Sequence, residues 1–184
     1  MIDELKLKYP LGRAVEQKFN GSGVFDEHEK TLHLNHIRQL PVLLEHAVLN
    51  LDAGQLATPY RPGGWTIQQL VHHVADSHMN SYIRFKLVLT ENNPVIKPYD
   101  EAAWANLSDT FATPINMSLT ILHALHARWH QLMTDLKQED WSRTMYHPES
   151  KKTISLWNAL ATYSWHGRHH VAHITSLRDR MGWR

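Results

Sequence analysis

The sequence predicts an all-α protein, an antiparallel four-helix bundle with a short extra helix in the connection between the second and third long helices. Four long segments carry apolar residues at the 3.6-residue period of an amphipathic helix. Turn and capping sequences separate these segments, and none has the alternating pattern of a strong strand. No Gly-, Ser- or Pro-rich or charge-rich stretch divides the chain, so we expect one domain over residues 1–184.

The first two long helices are separated by a polar break that ends in a turn sequence. The first helix is predicted from about Glu27 to Leu51, and Pro41 inside it predicts a kink or a restart. Thr66 and Gln69 have the spacing of a capping box, which predicts that the second helix begins there and runs to about Glu91.

The second half of the chain continues this order. A short extra helix is predicted over Asp100–Leu107, inside a connection of a length that is often functional. Thr113–Pro114 supplies a cap followed by proline at the first helical position, and an amphipathic third helix follows over Ile115–Leu136. We expect Trp141–Thr153 to be irregular with a short hairpin, and a serine-capped fourth helix over Ser155–Leu177.

The composition excludes several classes of function. The chain has no cysteine, which excludes disulfides, thiolate metal sites and a cysteine nucleophile, so any metal must bind nitrogen or oxygen. The formal net charge is +1 and no basic run is present, so we expect a small-molecule partner and neither nucleic acid nor membrane. The opening residues resemble no signal peptide, and charges interrupt each later apolar run, which together predict a cytoplasmic protein.

Histidine is the residue in excess, with 15 in the chain, and its spacing predicts a metal site. His166 and His170 differ by only about 40° around the fourth helix, so both rings can reach one ion. About one pair at this spacing is expected by chance, and three occur, so the pairs must be sorted by helix face. The other two pairs are His126/His130 and His169/His173.

The helix faces favour one set of ligands. On the fourth helix His170 lies inside the apolar stripe and His166 lies roughly 80° from its centre, so these two form the inward pair. His169 lies well off the stripe, and His173 lies near it, as an alternative ligand or a group behind the ligands. On the second helix His73 borders the buried face and begins a polar seam, while His72 points nearly the opposite way. The seam continues through Ser77, Asn80 and Arg84, and the third-helix residues His123, His126 and His130 are predicted to be partly solvated.

Several motifs of the chain form a recognisable set: Tyr60–Thr66 with His73, Asp76–Lys86, Lys97–Glu101, Trp165–Ile174 and Arg180–Trp183. With these motifs the chain resembles the DinB/YfiT-like family, whose members carry the provisional label of metal-dependent hydrolases. The resemblance implies a four-helix bundle, a homodimer, and three histidines that bind zinc or nickel, at His73, His166 and His170. We therefore expect one divalent metal per chain, with zinc as the first candidate and nickel as the second.

Three histidines would leave a divalent ion with an open coordination position, as in catalytic metal sites. One hypothesis is hydrolysis by an activated water, with Asn80, Arg84 or Arg168 orienting the substrate, although Asp76 is turned away from the apolar stripe and the general base is unassigned. The second is bacillithiol-transferase-like chemistry with a low-molecular-weight thiol, which relatives in the superfamily perform.

Two readings without catalysis remain open. One is a non-catalytic metal-binding stress protein, which a fourth protein ligand such as His173 would favour. The other is that the histidines lie at the edge of the core and hydrogen-bond to the backbone or to Tyr163. The catalytic residues are unknown at this stage, and Tyr163 and His173 join the candidates for supporting the ligands or the substrate.

Overall fold

The computed structural model describes residues 4–13 and 26–184 and contains the four predicted long helices. The described helices are α1 (Glu4–Lys8), α2 (Glu27–Val48), α3 (Ala53–Leu56), α4 (Ile67–Thr90), α5 (Glu101–Trp104), α6 (Ser108–Ala112), α7 (Ile115–Thr134) and α8 (Leu156–Met181). A 3-10 turn at Gln138–Ser142 precedes an antiparallel hairpin of β1 (Thr144–His147) and β2 (Lys152–Ser155). The short hairpin expected in the irregular segment is therefore confirmed.

The helix ends follow the capping signals, with two corrections. The Thr66 hydroxyl accepts from the Gln69 amide at 3.1 Å and the Gln69 side chain accepts from the Thr66 amide at 3.0 Å, as the capping box predicts. At α7 the predicted threonine cap is wrong, because Pro114 occupies the cap position and the Thr113 carbonyl accepts from His72 instead. The first long helix ends at Val48 rather than Leu51 and continues through Pro41 without a restart.

The connection between α4 and α7 differs from the prediction. It contains the two short helices α5 and α6 in place of one helix over Asp100–Leu107, because the Asp100 side chain caps α5 and the chain turns again before Ser108. The connection is long because α4 and α7 run parallel. Their contacts advance together along both helices, from His72 with Ser118 to Phe85 with Trp129, so the chain must return along the bundle between them.

The first and second long helices lie at opposite corners of the bundle, and so do the third and fourth. Helix α2 packs against α7 and α8, and α4 packs against the same two helices. Helix α8 runs antiparallel to α4 and parallel to α2, since His33 contacts Trp157 while Leu40 lies against Gly167. The four-helix bundle is confirmed, and two of its four neighbouring pairs are parallel.

The core consists of two apolar clusters with a layer of histidines between them. One cluster gathers Leu40, Leu44, Leu70, Leu122 and Ile174, and the other gathers Ile37, Phe85, Trp129, Met133 and Leu156. His73, His78, His126, His166 and His170 occupy the levels of α4, α7 and α8 between these clusters. Within the described ranges, no helix is both long and apolar enough to cross a membrane.

Candidate metal centre

Three histidines converge where the antiparallel helices α4 and α8 face each other. The Nε2 atom of His166 lies 3.3 Å from Nε2 of His73 and 3.3 Å from Nε2 of His170. One ring nitrogen from each side chain lies within 4.8 Å of the other two. Across residues 4–13 and 26–184, this is the one group of three or more such side chains close enough to hold an ion.

The spacing of these nitrogens fits a divalent metal. Ligands at about 2.0–2.1 Å from a tetrahedral ion lie about 3.3–3.4 Å from one another, which matches the two distances from His166. Unprotonated nitrogens facing each other at this distance repel unless a proton or a cation lies between them. The donor set of imidazoles alone suits zinc, nickel and copper, and disfavours magnesium or calcium.

Burial keeps the three rings neutral, which is the form that binds metals. It lowers the pKa of His73 from 6.5 to about 4. It also lowers the pKa values of His166 and His170 well below 6.5, and the neighbouring histidines add to the effect. Each ring therefore presents one unprotonated nitrogen near neutral pH without the cost of removing a proton.

His78 is a buried neighbour of the triad that the face analysis missed. Its Nε2 lies 3.1 Å from Nδ1 of His166, and its side chain is fully buried. The signal was present in the sequence, because His78 lies seven residues from Val71 and from Phe85 and so occupies the centre of the same apolar stripe. Burial, followed by nearby His126 and His166, lowers the pKa of His78 well below 6.5.

The third-helix histidines are only partly as predicted. His126 was expected to be partly solvated, and that prediction is wrong, because its side chain is 1% exposed and its Nε2 lies 3.0 Å from Nδ1 of His78. The reason is that α2 and α4 both cover this level of α7. His123 is solvated and pairs with Glu45, and His130 is half-buried, so neither belongs to the cluster.

His173 contacts the Nδ1 side of the His170 ring and does not belong to the group of three histidines. Its Nδ1 lies 3.4 Å from Nδ1 of His170, and its Nε2 lies 3.1 Å from the carbonyl oxygen of Lys8. His169 was predicted to lie well off the apolar stripe, yet it is 5% exposed. It is buried because its ring stacks on Trp165 at 4.3 Å between centroids and the segment after α1 covers it.

Tyr163 and Trp65 line the ligand cluster. The ring of Tyr163 lies 5.7 Å from that of His166 and meets His78 edge-on at 5.1 Å. The ring of Trp65 lies 4.7 Å from that of His73. These aromatic rings cover part of the ligand cluster and keep water from that side of it.

The residues predicted to orient the substrate donate hydrogen bonds to backbone carbonyls in this structure. Asn80 donates to the Asp76 carbonyl at 2.9 Å, and Arg84 donates to the Lys97 carbonyl at 3.1 Å. Arg168 donates to the carbonyl of Ser164 and faces the histidines of α2, on the side of α8 away from His166. Their contacts with a substrate stay predictions.

Asp76 and His72 face away from the triad. Burial, followed by the nearby Asp109 carboxylate, raises the pKa of Asp76 to about 6. His72 is buried against α7, with its Nδ1 2.8 Å from the Ser118 hydroxyl and its Nε2 3.1 Å from the Thr113 carbonyl. Neither residue belongs to the group of three histidines. The prediction that His72 points away from the buried face is wrong, because α7 covers that side of α4 and leaves His72 only 7% exposed.

Residues 36–174 match the family model of the DinB superfamily. The chain belongs to the DinB superfamily. It is 46% identical over 182 residues to YfiT of Bacillus subtilis, covering 99% of each chain. It is also 50% identical over 177 residues to a protein of Bacillus mycoides (96% of this chain, 98% of that one) and 50% identical over 179 residues to one of Oceanobacillus iheyensis (96% and 98%).

All three relatives carry a provisional name as metal-dependent hydrolases. The solved structure of Bacillus subtilis YfiT superposes on this chain with a TM-score of 0.91 at 46% identity, over 97% of this chain and 99% of that one. It is described as a probable metal-dependent hydrolase with an unusual four-helix bundle topology. The bundle found here mixes parallel and antiparallel helix pairs, so it likewise lacks a simple up-and-down topology.

Proposed function

We propose that this protein is a metal-dependent hydrolase that holds one divalent ion between Nε2 of His73, His166 and His170. The observation that carries the proposal is the convergence of three neutral imidazole nitrogens at the spacing of metal ligands. A divalent ion bound there supplies Lewis acidity, which lowers the pKa of a coordinated water toward about 7 and polarises a carbonyl. The names of the relatives support the same class of reaction.

The protein itself supplies orientation and a restricted approach. We assign the substrate to a cleft of 880 Å³ between the segment Pro98–Ala102 and the turn at Pro148–Glu149. Tyr99 lines this cleft and lies near Ser77 and Tyr163, and Tyr163 contacts the ligand His166. The Tyr99 hydroxyl is buried behind the cleft without a hydrogen-bond partner in the described part of the chain, and burial raises its pKa, so it stays protonated and could donate to a substrate carbonyl that enters between the rings.

Thiol transfer is the second candidate, and the composition of the ligand group favours it. Among the described residues that group contains imidazoles and no carboxylate, whereas hydrolysis at a metal site commonly uses a carboxylate as general base. A divalent ion held by the three histidines would lower the pKa of a low-molecular-weight thiol, so the thiol would release its proton to solvent without a protein base, and its sulfur would displace the leaving group of an electrophile. The non-catalytic reading receives no support from His173, whose two nitrogens face His170 and Lys8.

Elemental analysis of untagged protein tests the site. We expect about one metal per chain in the wild type and less than a tenth of that in His73→Ala, His166→Ala and His170→Ala, because two imidazoles do not retain the ion through purification. His123→Ala, which removes a solvated histidine, is the matched control and should retain the metal. A wild type that stays metal-free after reconstitution with zinc or nickel would contradict the proposal.

Assays of the metal-loaded protein separate the two reactions. Hydrolysis of ester and amide substrates without added thiol supports the first, and consumption of an electrophile only when a small thiol is present supports the second. Zinc as the native ion ahead of nickel, a homodimer and a cytoplasmic location complete the proposal. Metal analysis of protein from its native source, sedimentation velocity and cell fractionation test these three points.

A further inference from the structure

Pro41 leaves one carbonyl of α2 without its helical donor. In an α-helix the amide of residue 41 would donate to the carbonyl of residue 37, but proline has no N–H. Helix α2 nevertheless continues through Pro41. The carbonyl of Ile37 lies in the core, where an unpaired oxygen is costly, and it therefore requires a donor from another element.

His126 of α7 supplies that donor. Its Nδ1 lies 2.6 Å from the Ile37 carbonyl oxygen, which is the shortest step in the cluster. A carbonyl can only accept, so the proton of the neutral ring must lie on Nδ1. The Nε2 atom of His126 then carries the lone pair, and this atom lies 3.0 Å from Nδ1 of His78.

The requirement that each hydrogen bond has one donor and one acceptor fixes the tautomers of two further rings. Because Nε2 of His126 accepts, His78 donates from Nδ1 and accepts at Nε2. The Nε2 atom of His78 lies 3.1 Å from Nδ1 of His166, so His166 donates from Nδ1 and carries its lone pair on Nε2. That atom is the one that faces His73 and His170. We name the series Ile37, His126, His78 and His166 the inner relay.

We propose that His126 and His78 are positioning residues, and that the carbonyl freed by Pro41 sets the tautomer of His166 through them before any metal binds. This inference rests on the proposed metal site. It explains why a proline stands in the middle of a long helix beside the cluster, since the missing amide makes the Ile37 carbonyl available to His126. Ring partners of this kind fix the orientation of metal-bound histidines and raise their basicity.

The opposite tautomer of His166 would break the relay at one of its steps. If Nε2 of His166 carried the proton, that proton would point at the ligand group, and Nδ1 of His166 and Nε2 of His78 would face each other as two acceptors. Reversing all three rings would leave the Ile37 carbonyl facing a lone pair of His126. The buried carbonyl is therefore the one fixed end of the series, and the tautomers of the rings follow from it.

Nitrogen-15 NMR of the metal-free protein at neutral pH measures the tautomers directly. We expect His126, His78 and His166 each to be protonated at Nδ1, and His46, which is exposed on α2, to show a rapidly exchanging mixture. A predominantly Nε2-protonated His166 in the metal-free protein overturns the proposal. The sample contains no metal, so this result does not depend on the proposed function.

Zinc affinity, measured by competition with a chelator, tests the consequence. We expect His78→Leu to weaken zinc binding about tenfold to 100-fold, the range found when the partner of a metal-bound histidine is lost. His78→Gln should keep affinity within about threefold, since its amide can accept from His166 and donate to His126. His130→Leu, a half-buried histidine of α7 outside the relay, is the matched control.

Pro41→Ala separates positioning from simple packing. The new amide competes with His126 for the Ile37 carbonyl, so we expect a mixed tautomer at His126 and zinc binding about threefold weaker, while the metal-free protein melts at a higher temperature. Unchanged zinc affinity in His78→Leu, or unchanged tautomers in Pro41→Ala, overturns the proposal. A wild type that binds no zinc contradicts the proposed function instead.

Discussion

His166 and His170, two ligands of the proposed metal site, are each connected through other histidines to a backbone carbonyl, but the two carbonyls lie in different parts of the molecule. The inner relay ends on a carbonyl that a proline has freed inside a long helix. The second series, which we name the outer relay, runs from His170 through His173 to the carbonyl of Lys8. Lys8 is the last residue of α1, where a helical carbonyl also lacks an intrahelical donor.

The two relays differ in how firmly their ends are held. The steps of the inner relay are 3.1, 3.0 and 2.6 Å, and its members lie on four helices of 20 or more residues. The steps of the outer relay are 3.4 and 3.1 Å, and its end lies on a helix of five residues near the start of the chain. The step that reaches the backbone carbonyl is therefore shorter where long packed helices hold both partners, at 2.6 Å for Ile37 against 3.1 Å for Lys8.

The largest expected effect is that of removing the metal whose ligands both relays support. With free zinc at about 1,000 times the dissociation constant, binding should stabilise the folded chain by about 4 kcal/mol, and a chelator should remove that stabilisation. Thermal unfolding with and without chelator measures it. His78→Leu should show a smaller difference than wild type at equal zinc, because its affinity is lower, and an equal difference in both proteins would count against the role of the relay.

The next effect concerns the packing that holds the inner relay. A Cβ at Gly167 would lie 2.8 Å from Cδ1 of Leu40, so Gly167→Ala should force α2 and α8 apart and lower the free energy of unfolding by about 1–3 kcal/mol. Urea unfolding measures this change. In a double-mutant cycle with Leu40→Ala, the added methyl should cost less, and strictly additive effects would show that the two positions do not meet.

A smaller effect is expected at the outer relay. His173→Leu should weaken zinc binding about threefold to tenfold, less than His78→Leu, because the 3.4 Å step and the short terminal helix constrain His170 less. Chelator competition on both variants measures the ratio. His46→Leu, at an exposed position of α2, is the control, and equal losses at His78 and His173 would remove the distinction between the relays.

The smallest effect lies outside both relays. The pKa of Asp76 is raised from 3.8 to about 6, so the folded state favours its neutral form, and this stability is lost as pH rises through 6. Asp76→Asn should therefore raise the free energy of unfolding by about 1 kcal/mol at pH 7, a value reduced for the half-exposed site, and by little near pH 4. Zinc affinity should stay unchanged in this variant, because Asp76 faces away from the three histidines.

The helices and the group of three histidines could be predicted because they depend on local periodicity and capping. The 3.6-residue period predicts which face of a helix is buried, and it selected His73, His166 and His170, whose nitrogens the structure brings together. The capping box at Thr66 and the cap at Ser155 likewise involve residues within one turn of each other. These features need no knowledge of which helix packs against which.

The tertiary structure decided what the remaining faces contact. His169 lies off the main apolar stripe of α8, and it is buried because the N-terminal segment covers a side of α8 that periodicity along one helix leaves open. His126, by contrast, lies seven residues from Leu119 and from Met133, so the period of α7 already indicates its burial. The parallel course of α4 and α7 also brings His78 and His126 to one level. The sequence by itself determined the helices, the faces that carry the ligands and the amide missing at Pro41. Only the packing determined that His126 would donate to the freed carbonyl, because that contact joins residues 89 positions apart.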